Sequence, residues 1–254
     1  MIHVYVMAHN RPDLLAHQIR AFRTQLVDEH RIVVVDNGLG RFRCALAWAA
    51  LRQGVRSHRV RKPQHSTANY SHARAIEFAY QRWVCRDDDI SIIVDHDVFP
   101  IRPFSARRLL DGVAMAGILQ SRADDEHAVH YLHPGLLMLD LRRTPEPERV
   151  TFWPDQVEGL ACDVGGHLWE HWRRHPDVRV RCFSLRRVAE YDDMELFGET
   201  FLHYHGASDW DFRGPGHHAR RTRRLIDVLS QVHRAGDESQ GDLEARVVTP
   251  GALV

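Results

Sequence analysis

The sequence predicts an α/β protein: one domain with a mixed sheet flanked by helices. Three observations predict it. Short apolar runs alternate with amphipathic segments along most of the chain. Three of those runs, VYVMAHN, IVVVDN and IIVDHD, are apolar and then turn polar at the carboxyl end. The 254 residues, 44% of them hydrophobic, suffice for one large domain with its own core.

The elements follow in order. Ile2–Met7 reads as a strand that ends in Ala8-His9-Asn10. Asn10-Arg11-Pro12-Asp13 starts a helix whose apolar face carries Leu14, Leu15, Ile19, Phe22 and Leu26. Ile32–Val35 is a second strand, closed by Asp36-Asn37-Gly38, and the alanine-dense stretch Cys44–Gln53 a second helix. A short strand at Val55–Val60 precedes a helix capped at Asn69-Tyr70-Ser71, with Ile76, Ala79, Tyr80 and Trp83 along it. Ile90–Val94 is the third strong strand. Phe104–Leu110 reads as a short helix, and Val113–Leu119 and Gly135–Leu141 as strands. Arg143–Gly166 holds three prolines and little periodicity, so it reads as a loop excursion. Gly166–His175 is helical. Val178–Cys182 and Phe201–His205 are strands, and His217–Arg234 is a basic helix with Leu225, Val228, Leu229 and Val232 as its buried stripe. The expected organisation is a catalytic domain over 1–234, with a nucleotide-binding half (1–100) and an acceptor half (101–234), followed by a flexible tail over 235–254.

Formal net charge is zero, so nothing global points to nucleic acid or an anionic membrane. Cys44, Cys85, Cys162 and Cys182 lie far apart and form no CxxC pair, which reads as free thiols in a reducing compartment. The first residues turn polar too soon for a signal peptide, and no apolar run reaches the length of a membrane span. A cytoplasmic protein is expected.

In open α/β sheets, ligands bind in the crevice outside the carboxyl ends of the strands, so the three polar strand ends nominate one crevice. Asp95 and Asp97 close the third strand. Side chains at i and i+2 of an extended chain point the same way, and two carboxylates held there repel unless a cation intervenes. Their oxygens suit Mg²⁺ or Mn²⁺. The plain alternative is a solvated turn. In FLHYHGASDW, His203 and His205 also alternate, and one imidazole could complete an octahedral site. A zinc hydrolase is the competing reading of HxH, but Asp209 stands too far along for the metallo-β-lactamase pattern.

Taken in order, these pieces resemble a nucleotide-sugar-dependent glycosyltransferase of the GT-A fold, a Rossmann-like mixed sheet flanked by helices. VMAHNRPDLL is similar to the opening of the family-2-like enzymes, and HARAIEFA to their ARN helix, with Ala75 in place of the asparagine. HPGLLMLDL, His133–Leu141, resembles a strand that lines the acceptor side. HYHG followed by Trp210 resembles the family's HxxGxxKPW ending, with His203 and Gly206 matching and Lys-Pro absent. The likeness spans most of Ile2–Trp210.

The resemblance implies roles. Asp97 would be the principal ligand of Mn²⁺ or Mg²⁺, Asp95 would touch metal or ribose, and His203, with His205 as runner-up, would be a further ligand. Asp36 would accept hydrogen bonds from base or ribose. Ala8, His9, Arg11, Asn69 and His96 would border the nucleotide, and Arg74 would reach the diphosphate or donor sugar. An inverting enzyme needs a general base. Asp163 is the first candidate, and Asp192 or Asp193 the second. His130, Tyr131 and His133 would border sugar or acceptor. Trp153, Trp169 and Trp172 would stack on an acceptor ring or fill the core. Arg220, Arg221, Arg223 and Arg224 would meet a phosphorylated acceptor or face solvent. The expected partners are a nucleotide sugar and a carbohydrate-type acceptor. The alternatives are a sugar nucleotidyltransferase, disfavoured because AHNRPD has no glycine, and a non-catalytic binding module.

Overall fold

The computed structural model describes residues 1–61, 67–125, 127–191, 194–207, 215–234 and 245–250. The strands are β1 (Ile2–Ala8), β2 (His30–Asp36), β3 (Arg56–Arg59), β4 (Ile90–Asp95), β5 (Val98–Pro100), β6 (Met115–Ala123), β7 (Ala128–Asp140), β8 (Gln156–Val157), β9 (Leu160–Ala161), β10 (Val180–Phe183), β11 (Leu185–Val188), β12 (Met194–Phe197), β13 (Phe201–His203) and β14 (Ala245–Val248). The helices are α1 (Pro12–Gln25), α2 (Arg43–Arg52), α3 (Ala68–Arg82), α4 (Ala106–Leu109), α5 (Leu168–Arg174) and α6 (Pro215–Arg234).

Eight strands form the central sheet, in the order β14-β10-β6-β7-β4-β1-β2-β3. β4, β1, β2 and β3 run parallel, and β7 lies antiparallel between β4 and β6. β1 reads almost continuously apolar because both its faces are covered. Val4, Val6 and Ala8 enter a core with Leu15, Ile19 and Phe22 of α1 and Leu46 of α2. Tyr5 and Met7 enter the opposite core with Ile76 and Tyr80 of α3 and Trp172 of α5. Pro12 at the start of α1 loses no hydrogen bond, and Asp13 and Arg23 suit the two ends of the helix dipole.

A second sheet, β11-β12-β13-β5, is attached at β5, immediately after Asp97. Leu196, Leu202 and Phe99 bury one side of it against Leu225, Val228 and Leu229, three of the four apolar residues expected along α6.

The structure departs from the sequence reading at several elements. α3 is capped by Thr67, whose hydroxyl accepts from the Tyr70 N–H at 3.2 Å, ahead of the expected Asn69. The excursion 143–166 holds the β8–β9 hairpin and is tied to α3, where Glu77 accepts from the Thr151 hydroxyl and the Phe152 N–H. β7 begins seven residues before Gly135, with a register shift opposite Gly117/Ile118. β11 and β12 carry no alternation readable in four residues each. Ala245–Val248, inside the segment expected as a tail, pairs antiparallel with β10 and closes one edge of the central sheet. Trp169 and Trp172 are core residues, 3% and 0% exposed, so they do not offer a stacking face. All four cysteines are free thiols.

Candidate active site at the carboxyl ends of the strands

The chain passes outward from β1 to β2 and β3, then returns to place β4 on the other side of β1. That reversal leaves a crevice outside the carboxyl ends of β1 and β4. The register pairs Ala8 with Asp36 and Met7 with Asp95, so the polar strand ends lie level along one rim.

On the β2 side, the buried Asp36 Oδ1 accepts from the Gly38 N–H at 2.8 Å and from Arg59 Nη1 at 2.6 Å. Arg59 lies directly opposite Asp36 on β3 and compensates its burial. Asn10 takes a left-handed conformation, φ 57°, which asparagine tolerates. Its side-chain oxygen accepts from the Leu39 N–H at 2.8 Å, and His9 Nδ1 donates to the Asn37 carbonyl at 3.2 Å. The loops after β1 and β2 are thereby knitted together. Ala8 is fully buried, with its carbonyl bound by the Asn37 N–H at 3.1 Å. Arg11 forms a two-pronged pair with Asp13 at 3.0 and 2.8 Å and donates to the Ala207 carbonyl and the Thr222 hydroxyl. It joins α1 to α6.

The Asp95-His96-Asp97 turn is held from beneath. Gln18 of α1 donates to the carbonyls of Asp95 at 2.5 Å and Val98 at 2.7 Å. His96 is buried, and its Nδ1 donates to the Met7 carbonyl at 3.2 Å. His72 of α3 donates to Asp95 Oδ1 at 2.6 Å. Burial raises the Asp95 pKa, but His72, His133 and His96 outweigh it and hold the carboxyl below its ordinary value. Burial likewise lowers His72, yet Asp95 and Asp97 hold it above the usual histidine range.

Asp97 receives its neighbour from far along the chain. β13 pairs antiparallel with β5, setting His203 opposite Val98, and β12 sets Glu195 opposite His203. His203 Nδ1 donates to Glu195 Oε2 at 2.9 Å, which turns Nε2 towards Asp97 Oδ1 at 3.9 Å. Burial opposes charge on His203, but Glu195, Asp97 and Asp95 together raise its pKa. Glu195 is held well below the carboxylate range: burial raises it, but His203 and His205 more than offset that. His205 lies beyond the end of β13, 69% exposed, its ring stacked on His203 at 5.4 Å and its Nδ1 3.6 Å from Glu195. It supports Glu195 rather than reaching the aspartates.

The far rim comes from β6, β7 and the segment before α5. Asp163 accepts from Asn69 at 2.9 Å, from Gln120 at 3.3 Å and from Arg122. His133 Nδ1 accepts from the Gly135 N–H at 3.1 Å, and burial pushes its pKa down to about 4. A Cβ at residue 135 would sit 2.7 Å from the His133 ring and 3.2 Å from Asp95 Oδ2, so any larger residue there would have to displace the ring. Arg74 is exposed, about 200° around the helix from His72. It therefore lies on the exposed side of α3, whereas His72 and Asn69 are the α3 side chains bound to the aspartates of the rim. Asp192, Asp193 and Trp210 lie outside the described residues.

Asp95, Asp97, His203, Asp36, His9, Asn69 and Asp163 are therefore gathered about one crevice, whereas Arg74 is not. His72, Glu195, Gln18 and Arg59 were not singled out in the sequence. His72 sits inside HARAIEFA, where helical phase carried the only signal. The other three depend on pairings between distant segments.

Among the described residues, no three His, Cys, Asp or Glu side chains already surround one point as metal ligands. The donor set nonetheless fits a divalent ion. Asp97 Oδ1 is buried and has no hydrogen-bond partner among the described residues, which is costly for an ionised oxygen without a cation. Ligand atoms of one octahedral ion lie roughly 3 to 4.2 Å apart, and the Asp97–His203 separation of 3.9 Å falls within that range. Such ions keep several positions for phosphate and water. A concavity of about 950 Å³, lined by Arg31, Arg56, His58, Arg82 and Trp83 among others, opens towards the amino ends of β1 and β2, the opposite end of the sheet. It is not part of this site.

The chain thus has an open, mixed α/β sheet with an acidic, histidine-lined crevice at its topological switch point. No protein-family model matches the sequence, and no curated protein matches it. Similar solved structures include a mannosyltransferase from Pyrobaculum calidifontis in complex with GDP-mannose and Mn²⁺, at 16% identity and a TM-score of 0.47, over 94% of this chain and 65% of that one. They also include the galactosyltransferase LgtC in complex with donor and acceptor sugar analogues, at 19% identity and a TM-score of 0.37, over 59% of this chain and 62% of that one. The bifunctional glycosyltransferase WbbM matches at 14% identity and a TM-score of 0.37, over 58% of this chain and 32% of that one. The chain spans less than two thirds of each of these proteins. The likeness is one of fold, and no residue role is carried over from it.

Proposed function

We propose that the chain is a metal-dependent glycosyltransferase that moves a sugar from a nucleoside-diphosphate sugar to an acceptor hydroxyl. One observation carries the reading: Asp97 Oδ1, buried and with no hydrogen-bond partner among the described residues, faces His203 Nε2 across 3.9 Å at the switch point of the sheet. Asp97 and His203 would hold Mn²⁺ or Mg²⁺, with Asp95 beside them. The ion supplies neutralisation of the charge that develops on the diphosphate leaving group.

The remaining work falls to the chain. Glu195 fixes the His203 ring so that Nε2 faces Asp97. Gln18 pins the backbone that carries Asp95 and Asp97. His9, Asn10 and Asp36 form the pocket wall for base and ribose, with Arg59 compensating the Asp36 charge. His133 and Asp163 border the sugar and acceptor. Asn69, Gln120 and Arg122 orient Asp163, which becomes a proton acceptor for the hydroxyl when substrate displaces Arg122.

The test is thermal shift and calorimetry with UDP, GDP and CDP, each with and without Mn²⁺. One nucleoside diphosphate is expected to bind in a Mn²⁺-dependent manner, and Asp97→Ala to abolish that dependence with the fold intact. Full transfer activity in Asp97→Ala would end the metal assignment.

A further inference from the structure

α2 is an unusual surface helix. Its sequence, RCALAWAALR, has arginines at its two ends and no polar residue between Cys44 and Leu51. Leu46 and Ala50 are buried in the core with α1 and β2, and Ala49 packs against it at the margin. A helix that is apolar all round is normally buried, yet here Trp48 is 60% exposed and Leu51 64%. With 100° per residue, Cys44, Trp48 and Leu51 form one outward ridge about 60° wide. Arg41 and Arg43 lie at its amino end and Arg52 at its carboxyl end. None of these three arginines forms an ion pair with an acid among the described residues. At the carboxyl end, Arg23 of α1 donates to the Gln53 carbonyl at 2.5 Å, on the side of α2 away from the ridge. α2 itself carries no acidic residue.

We propose that α2 docks this protein onto an anionic phospholipid bilayer. Trp48 and Leu51 enter the interface between headgroups and acyl chains, and the flanking arginines meet the lipid phosphates. Tryptophan is suited to that depth, with an apolar ring and one N–H for the headgroup layer. The arginines keep their charge in the headgroup layer while their stems lie along the apolar boundary. Charge decides the occupant. A second copy meeting this ridge about a two-fold axis would set arginines against arginines, whereas an anionic surface complements them. No described helix is long and apolar enough to cross a membrane, so the attachment is peripheral. The helix follows the β2 end that carries Asp36, so docking sets the crevice rim beside the bilayer. The inference stands on α2 alone and does not depend on the reaction proposed above.

The experiment is flotation of the full-length chain with phosphatidylcholine vesicles and with vesicles containing one third phosphatidylglycerol. The wild type is expected to float with the anionic vesicles and not with the neutral ones, and to be released as salt is raised. Trp48→Ser/Leu51→Ser should reduce the bound fraction about tenfold or more, given the apolar area withdrawn, with an unchanged Tm because both side chains are exposed. Arg43→Gln/Arg52→Gln should reduce it to a lesser extent. No flotation of the wild type, or flotation undiminished in Trp48→Ser/Leu51→Ser, overturns the proposal. So does a wild-type dimer in light scattering that this double variant dissolves, because the ridge would then be a contact between copies.

Discussion

At the scale of single residues, the site turns on which charges have partners. Asp36 has Arg59, Asp95 has His72, and Glu195 has His203. Asp97 Oδ1 alone among these acids is buried with no hydrogen bond among the described residues. Removing its charge is therefore expected to leave Tm unchanged or raise it, while Mn²⁺-dependent nucleotide binding is lost. Glu195 accepts from His203 Nδ1, the ring nitrogen opposite the one that faces Asp97, so in the proposed site it would orient the ring. Glu195→Gln is expected to weaken Mn²⁺ affinity by about 10–100-fold without eliminating it, measured as the Mn²⁺ concentration for half-maximal nucleotide binding. An affinity equal to that of the wild type would remove Glu195 from this role.

At the scale of elements, strand ends set the geometry and the loops between them hold it. The Asp95–Asp97 turn rests on Gln18, and the bulged end of β7 leaves room for His133 only because residue 135 has no side chain. Gly135→Ala is expected to cost about 1–3 kcal/mol by overpacking, and to displace His133 from Asp95. Chemical denaturation reads the first effect, and the histidine resonances in a proton NMR titration read the second. An unchanged denaturation midpoint would show that the turn yields more easily than its contacts imply. The strong strands and long helices were legible in the sequence because each carries its own periodicity: two-sided burial in β1, β2 and β4, and an apolar stripe in α1, α3 and α6. Of the second sheet only β13 was legible, within Phe201–His205; β5, β11 and β12 are three or four residues long and are fixed by pairing with one another and packing on α6.

At the scale of the whole molecule, burial of histidine makes stability depend on pH. His171 of α5 is fully buried, and neither ring nitrogen has a hydrogen-bond partner among the described residues. Burial, helped by His175 and Arg174 and opposed by Glu146, pushes its pKa down to about 4. The unfolded chain takes up this proton near pH 6.5, and the folded chain refuses it until about pH 4. Stability from this group is thus complete above the unfolded value and declines as pH falls through that window. His171→Leu should flatten this limb, seen as a smaller loss of urea midpoint between pH 6.5 and 4.5 than in the wild type. Equal losses would show that other groups set the acid limb. The sequence by itself determined the α/β class, the polar strand ends and the Asp95–Asp97 pair, because these are local patterns of apolar and charged residues. Only the tertiary structure decided that His203 rather than His205 faces Asp97, that His72 rather than Arg74 is bound to Asp95, and that α2 turns an apolar ridge to the outside. Those outcomes depend on strand register and helical phase, which are fixed when segments a hundred residues apart pair and bury one another.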